Sequence, residues 1–431
     1  MTAVCERPTA GRLLAGLADP EGASGLAGHL RVHGPLPRPR GARRTALPEL
    51  AALLAEAGLT GRGGAAFPAA KKLEAVGARR RRPVVVVNAM EGEPASKKDL
   101  VLATHAPHLV LDGAELLAEA SHAAAVYVCV ASDQPAAARA YERAIDERRR
   151  SGLSTATELR LPPGRYVAGE ESALLHWLAG GEAVPTFRPP GRPPRPSVGP
   201  RPALVHNAET HAHVALVARH GPAWFRSLGT AEAPGTTLVT VSGAVARPGV
   251  LEVPLGTPVG EVLASAGGSP PPAVLLGGYG GTWLSGAHLD TPLAPAPLAE
   301  RGATLGAGVV VALPDDGCGV AETARVARWM AGESAGQCGP CAFGLPAVAD
   351  DLEQLAFGQR RDSGARLASR LEAIVGRGAC RHPDGVVRLV RSALRVFADD
   401  MARHLDEGPC PSAHRASVLV LPARTEEASW R

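Results

Sequence analysis

Residues 84–87 read Val-Val-Val-Val, four β-branched side chains with no polar interruption. Such side chains are stiff at χ1 and favour extended backbone. A strand apolar on both faces must be covered on both faces, as in a parallel sheet flanked by helices. The neighbouring pattern agrees: a short helix is expected over 48–57, then a helix over 108–120, a strand over 125–131 and a helix over 134–149. The alternation predicts an α/β unit.

The pattern then changes. A Pro-rich stretch, 185–202, is expected to run over the surface without regular structure, and a helix-like segment, 207–219, follows it. Residues 237–241 and 250–253 flank Ala-Arg-Pro-Gly and read as a hairpin. With a short helix over 258–266 and strands over 273–276 and 309–313, they predict a small β-grasp-like unit. After Cys318, helices over 320–331, 344–357, 366–375 and 385–404 predict a bundle. Residues 1–46, rich in Gly, Pro and Arg without a period, read as an irregular lead-in. The expected divisions are 1–46, 47–230, 235–315, 316–407 and a tail, 408–431.

Composition excludes some classes. A formal charge of +4 over 431 residues offers no concentrated basic face for nucleic acid. The basic run 79–82 reads as a solvated loop. No segment stays apolar for the ~20 residues a membrane helix needs, and seven unevenly spaced cysteines do not resemble a disulfide framework. The expectation is a soluble, cytoplasmic chain with no direct membrane insertion. Arginine dominates the basic residues, and the only lysines are Lys71, Lys72, Lys97 and Lys98. A compact ammonium in an Arg-rich sequence suggests a specific need.

Five segments could carry chemistry. The first is Gly61-Arg62-Gly63-Gly64-Ala-Ala-Phe67-Pro, followed by Lys71 and Lys72. Glycines admit a ligand close to the backbone, whose amides can line an anion; a helix starting near Ala69 would add its N-terminal field. A plain surface turn is the alternative. The second runs from Val87 through Asn88, Glu91 and Glu93 to Asp99 and begins at the carboxyl end of the expected strand, where α/β sheets bind ligands. A charged loop with internal ion pairs is the alternative. In the third, Tyr166-Val-Ala-Gly169-Glu170-Glu171, the paired acids suit a helix N-terminus and could simply cap it. The fourth is His206-Asn207-Ala-Glu209-Thr210, with Asn207 as cap or ligand. The fifth is Cys338-Gly-Pro-Cys341, with Cys380 further on. Thiolates bind iron and zinc through soft, deprotonated sulfur, and in an up–down bundle the two loops lie at one end.

In this order, over about residues 55–405, the five segments resemble the NADH-oxidising flavoprotein subunit of respiratory complex I and its soluble diaphorase relatives. The resemblance implies a Rossmann-like FMN-binding α/β domain, a small β-grasp (ubiquitin-like, soluble-ligand-binding) domain and a four-helix iron–sulfur bundle. It implies FMN, a 4Fe–4S cluster and NADH as substrate. The flavin and nucleotide would be met by Gly61, Arg62, Gly63, Gly64, Phe67, Lys72, Asn88, Glu91, Glu93, Tyr166, Gly169, Glu170, Glu171, Asn207, Glu209 and Thr210. Glu93 would orient the nicotinamide, and Lys72 would stabilise phosphate or the reduced flavin. Cys338, Cys341 and Cys380 would hold the cluster.

The chain also departs from the family. Ala335 stands where a third Cys of the loop is usual, Met90 replaces a flavin-contacting Asp, Ala66 a Gly and His206 an Asn. The aromatic pair after the lysine becomes Leu73 and Ala75. The fourth cluster ligand could be Cys318, Cys410, His382 or an outside group. Twelve helical residues rise ~18 Å, which puts Cys318 at the far end of the bundle from Cys338. The resemblance implies an NADH dehydrogenase-like oxidoreductase, an electron-transfer flavoprotein delivering to a ferredoxin or another redox subunit. The alternatives are a non-catalytic scaffold or ligand-binding subunit, and a flavoprotein with structural zinc on the three cysteines.

Overall fold

In the computed structural model, which describes residues 11–18, 22–37, 46–153, 156–187, 195–358, 362–423 and 430, the valine run is strand β1 (Val84–Ala89). Val85 and Val87 face one hydrophobic cluster and Val84 and Val86 another on the opposite face. Both faces are covered, as an uninterrupted apolar strand requires. The other strands of this sheet are β2 (Ala125–Val130), β3 (Thr157–Arg160), β4 (Ser197–Val198) and β5 (Arg201–Asn207), in the order β3-β2-β1-β5-β4. All pairings are parallel except β4 with β5. The register sets Asn88 beside Asn207 at the carboxyl ends of the two central strands.

The expectation that 185–202 lacks regular structure is corrected at its end, where β4 lies and β5 begins; residues 188–194 lie outside the described residues. Pro202 is tolerated at the second position of β5, which is buried from there through His206. The irregular reading of 1–46 is corrected too, because Leu26–His33 is a helix. The helix is held by a buried network that periodicity does not reveal. Its His29 bonds Asp112 at 2.8 Å, and Asp112 also takes Arg148 at 2.7 Å and Arg219. Four helices are thereby tied together.

A second sheet contains β6 (Thr236–Gly243), β7 (Gly249–Pro254), β8 (Ala273–Leu276), β9 (Thr282–Ser285) and β10 (Val309–Ala312), in the order β7-β6-β10-β8-β9. β6 and β10 are parallel; the other pairs are antiparallel. The expected hairpin and strands are present, and β9 is additional. Glu252 on β7 is fully buried and accepts from the backbone N–H groups of Arg12, Leu13 and Leu14, so the amino-terminal segment is bound to this sheet.

Among the described residues the C-terminal unit has five α-helices where four were expected: Gly319–Gly332, Leu345–Phe357, Ser363–Ile374, His382–Val396 and Ala398–Glu407. The expected last helix breaks at Phe397, whose φ and ψ of −111° and 29° leave the helical region. Its aromatic ring is buried edge-on against Trp283, 5.1 Å between centroids, so packing overrides helix continuity. No described helix is long and apolar enough to cross a membrane.

Candidate functional site

The carboxyl ends of β1 and β5 open into a cavity of about 570 Å³. Every residue expected to bind the flavin and nucleotide, from Gly61 to Thr210, lines it except Glu209, which stands behind it fully buried. The second sheet's loops contribute Gly277, Gly280, Thr304 and Gly306, and the helical unit contributes Cys380, His382 and Arg388. Residues separated by hundreds of positions meet here because three units close over one strand edge.

The Gly-rich loop joins helix Ala46–Ala57 to helix Ala69–Gly77. Gly64 has φ of +95°, the region that favours glycine, and a Cβ there would stand 3.4 Å from the carbonyl oxygen of Gly306. Arg62 is not a free cation: its buried guanidinium donates to the carbonyls of Thr236 and Thr60, and its N–H donates to Thr210 Oγ1 at 2.9 Å. The side chain clamps the loop to β6. Phe67 is 48% exposed and lines the cavity. Of the residues replacing the family's aromatic pair, Leu73 is in the core and Ala75 is exposed, and neither lines the cavity.

Lys72 Nζ donates to Glu171 at 2.6 Å and to the carbonyl of Val205 at 3.1 Å. Glu170 caps the Glu171–Leu178 helix by accepting from the Ser172 and Ala173 N–H groups. Asn207 caps the Ala208–Arg226 helix and donates to the carbonyl of Asn88 and to Asp99. Asn88 donates to the carbonyl of Gly169 at 2.9 Å. These side chains therefore cap their own helices or brace one segment against another, and form the wall.

Lys98 is the main residue that the sequence reading left out of the site. Its Nζ donates to Glu209 and Asn207, each at 2.8 Å, and to the carbonyl of Arg62 at 3.2 Å. Burial alone would lower its pKa, but Asp99 and Glu209 outweigh burial and hold the ammonium above its usual range. Glu209 is held below the carboxylate range: burial opposes ionisation, and Lys98, His213 and Arg62 overcome it. The available signal was Lys97–Lys98 as one of two lysine pairs in an Arg-rich chain. Ser96 and Asp99 lie inside the second segment without having been singled out, and Arg388 and the glycines of the second sheet had no comparable signal.

Two carboxyl groups are poised differently. Glu91, at φ +41°, accepts from Ser96 Oγ and from the N–H groups of Asp99 and Leu100. Glu93 accepts from the Tyr279 N–H at 2.8 Å and the Tyr166 hydroxyl at 3.4 Å. Burial pushes each up to about 7. His206 Nε2 is buried without a hydrogen-bond partner, and burial holds its pKa well below the usual value.

A small second cavity adjoins the first and shares Val167, Cys380 and His382 with it. Cys338, Cys341 and Ala335 complete its distinctive wall. Cys341 sits in a wide, π-type helical turn, Pro340–Gly344, a distortion common at functional sites. His382 Nε2 bonds the carbonyl of Met330 at 2.9 Å. A carbonyl only accepts, so the proton is on Nε2 and the lone pair on Nδ1, which is buried and unpartnered. Cys318 and Cys410 do not line this cavity; they meet each other elsewhere, with His404.

Residues 54–216 match the Nuo51 FMN-binding domain, residues 238–281 the SLBB domain and residues 321–404 the NADH-ubiquinone oxidoreductase-F iron–sulfur binding region. The chain is 31% identical over 380 residues to an F-type subunit of the NADH-quinone oxidoreductase of Rhizobium meliloti, covering 84% of this chain and 90% of that protein. It is 30% identical to the NADP-reducing hydrogenase subunit HndC of Solidesulfovibrio fructosivorans, over 86% of this chain and 79% of that one. Its structure resembles a chain of an air-oxidised NAD+-reducing [NiFe]-hydrogenase with a TM-score of 0.78 and 31% identity, covering 94% of this chain and 68% of the other.

Proposed function

We propose, for a chain that belongs to the family of F-type subunits of NADH-quinone oxidoreductase, that it takes electrons from NADH through FMN and passes them to a 4Fe–4S cluster. A ferredoxin or another redox subunit would receive them. Convergence of the five segments on one cavity that shares a wall with the sulfur-lined one is the observation that carries this reading. The strand orders support a Rossmann-like fold for 47–230 and a β-grasp fold for 235–315. The helices within 316–407 support the four-helix iron–sulfur assignment, with its last helix broken in two.

Bound FMN supplies the chemistry of accepting a hydride and releasing electrons singly. The chain's part is to bind, orient and tune. Asn88, Glu171 and Asn207 are held by hydrogen bonds between the segments, in orientations set before the flavin enters. The backbone of Gly61, Gly63 and Gly64 admits its close approach, and Lys72 is a cation within reach. Phe67 offers a stacking face to the nucleotide. Cys338, Cys341 and Cys380 would hold the cluster, and His382 Nδ1 would take the position that Ala335 leaves. An unpartnered buried lone pair in the small cavity that all three cysteines line favours this over an outside ligand. Anaerobically purified protein is expected to show flavin absorbance at about 450 nm that bleaches on adding NADH. Absence of that band, or no bleaching, would remove the reading; zinc with three sulfur ligands would select the zinc alternative.

Glu93 supplies a second test. As a carboxylate it accepts hydrogen bonds from the nicotinamide carboxamide; when protonated it accepts less well. With its pKa at about 7, the KM for NADH is expected to fall as pH rises from 6 to 8, and to become flat in Glu93→Gln. The folded carboxyl keeps its proton to higher pH than the unfolded one at 4.5. Its destabilising effect is thus absent below 4.5 and complete above about 7, so Glu93→Gln should raise Tm at pH 8 and not at pH 4. A pH-dependent KM surviving in Glu93→Gln would rule the role out.

A further inference from the structure

Cys318 and Cys410 take no part in either cavity, yet the fold brings both to His404. The two sulfurs and an imidazole nitrogen all lie within 4.8 Å of one another, with Cys318 and His404 buried and Cys410 partly so. Three separate stretches supply them. Cys318 precedes the Gly319–Gly332 helix, His404 lies in the last turn of the Ala398–Glu407 helix, and Cys410 follows Gly408, whose φ of +91° turns the chain back.

The imidazole is already in the protonation form that a metal requires. Its Nδ1 lies 3.3 Å from the carbonyl oxygen of Leu355, which can only accept, so Nδ1 carries the proton. Nε2 therefore carries the lone pair, which accepts from the backbone N–H of Cys410 at 3.3 Å and which a metal would take in place of that hydrogen bond. Two independent neighbours thus select one tautomer. An imidazole anchored to a backbone carbonyl through its far nitrogen is the usual support of a metal-bound histidine. On the other side, the Ala321 N–H donates to Cys318 Sγ at 3.4 Å, which fixes the sulfur at the amino end of a 14-residue helix.

The spacing is that of one ion. Bonds of about 2.3 Å to sulfur and about 2.0 Å to nitrogen at a tetrahedral angle put the two ligand atoms about 3.5 Å apart. Cys318 Sγ and His404 Nε2 are 3.7 Å apart. The site is separate from the sulfur-lined cavity, since the Gly319–Gly332 helix carries the chain away from Cys318 before Ala335 is reached, a rise of about 20 Å.

We propose that Cys318, His404 and Cys410 bind a single zinc ion, with water in the fourth position on the partly exposed Cys410 side. Two thiolates and an imidazole suit this soft, tetrahedral, redox-inert ion. It ties the start of the first C-terminal helix to the end of the last one and to the turn beyond, and its binding contributes to folding of that unit. Being redox-inert, it opens no second route for electrons.

The test uses the full chain, purified anaerobically without chelator after growth with added zinc. Elemental analysis is expected to find about one zinc per chain beside the iron, and the zinc X-ray absorption edge to fit two sulfurs at about 2.3 Å with one nitrogen and one oxygen. In Cys318→Ser/Cys410→Ser, zinc should fall more than about tenfold, with flavin and iron unchanged. The wild-type absorption reading stands even if that variant fails to fold. Zinc below about 0.1 per chain, a three-sulfur shell, or a Cys318–Cys410 disulfide found by alkylation and mass measurement would each overturn the proposal. A protein lacking flavin would end the electron-transfer reading and leave the zinc result standing.

Discussion

Lys98→Met is expected to destabilise the folded chain by about 3–5 kcal/mol at pH 7, the range for breaking a buried ion pair by removing one partner. Lys98 is 4% exposed and faces Glu209, which is fully buried. Methionine fills the space but leaves the carboxylate without its nearest cation, since Arg62 lies 3.9 Å away and is engaged with backbone carbonyls. Urea unfolding of wild type, Lys98→Met, Glu209→Gln and the double variant separates the contributions. The double variant should recover part of the loss, because the uncompensated charge is gone. The sign of the pH effect follows from Glu209. Its folded pKa is depressed, so its stabilisation is present above the unfolded value of 4.5 and lost as pH falls below it. The gap between wild type and Lys98→Met should accordingly narrow in acid. Flavin content should fall as well, since Lys98 braces Asn207 and the Arg62 carbonyl in the cavity wall. A loss under about 1 kcal/mol would mean that the ammonium carries no more than an exposed pair does.

Cys341→Ser is expected to reduce iron from the four per chain of a 4Fe–4S cluster by more than about tenfold, while flavin is retained. With Ala335 in the loop the chain offers three thiolates to this cavity, and a serine hydroxyl is a poor substitute for soft sulfur. Cys341 is the informative choice, because it lines the small cavity and not the flavin cavity, whereas Cys380 lines both. His382→Leu is expected to lower iron content less and to alter the cluster's electron paramagnetic resonance signal, as loss of a nitrogen ligand must. Iron and labile sulfide analysis on anaerobic protein, with that resonance spectrum, checks both. Iron kept at half or more in Cys341→Ser would remove the cysteines from the assignment, and an unaltered signal in His382→Leu would remove His382.

Much of the fold was legible because its signals are local. The valine run, the turn at Ala-Arg-Pro-Gly and the helical periods after Cys318 each depend on a few consecutive residues. The strands that were missed, β3, β4, β5 and β9, are short or interrupted by proline, so periodicity over so few residues cannot separate them from loops. The break at Phe397 escaped for another reason: Trp283, more than a hundred positions earlier, decides it. The site was legible as five segments in order, with capping as the rival reading for Glu170 and Asn207. The structure shows both doing the capping while also lining the cavity, so the two readings were never exclusive.

The sequence alone determined the valine strand, the hairpin and most of the helical stretches, which segments carry glycines, amides and thiols, and in what order they come. These follow from side-chain shape and backbone preference within a few residues. Only the tertiary structure decided that Lys98 is buried against Glu209, that the Arg62 guanidinium is tied to backbone carbonyls, and that His382 stands between flavin cavity and sulfur. It alone joined Cys318 and Cys410 to His404. Burial and distance are set by crossings between segments far apart in the chain, and no local pattern encodes them.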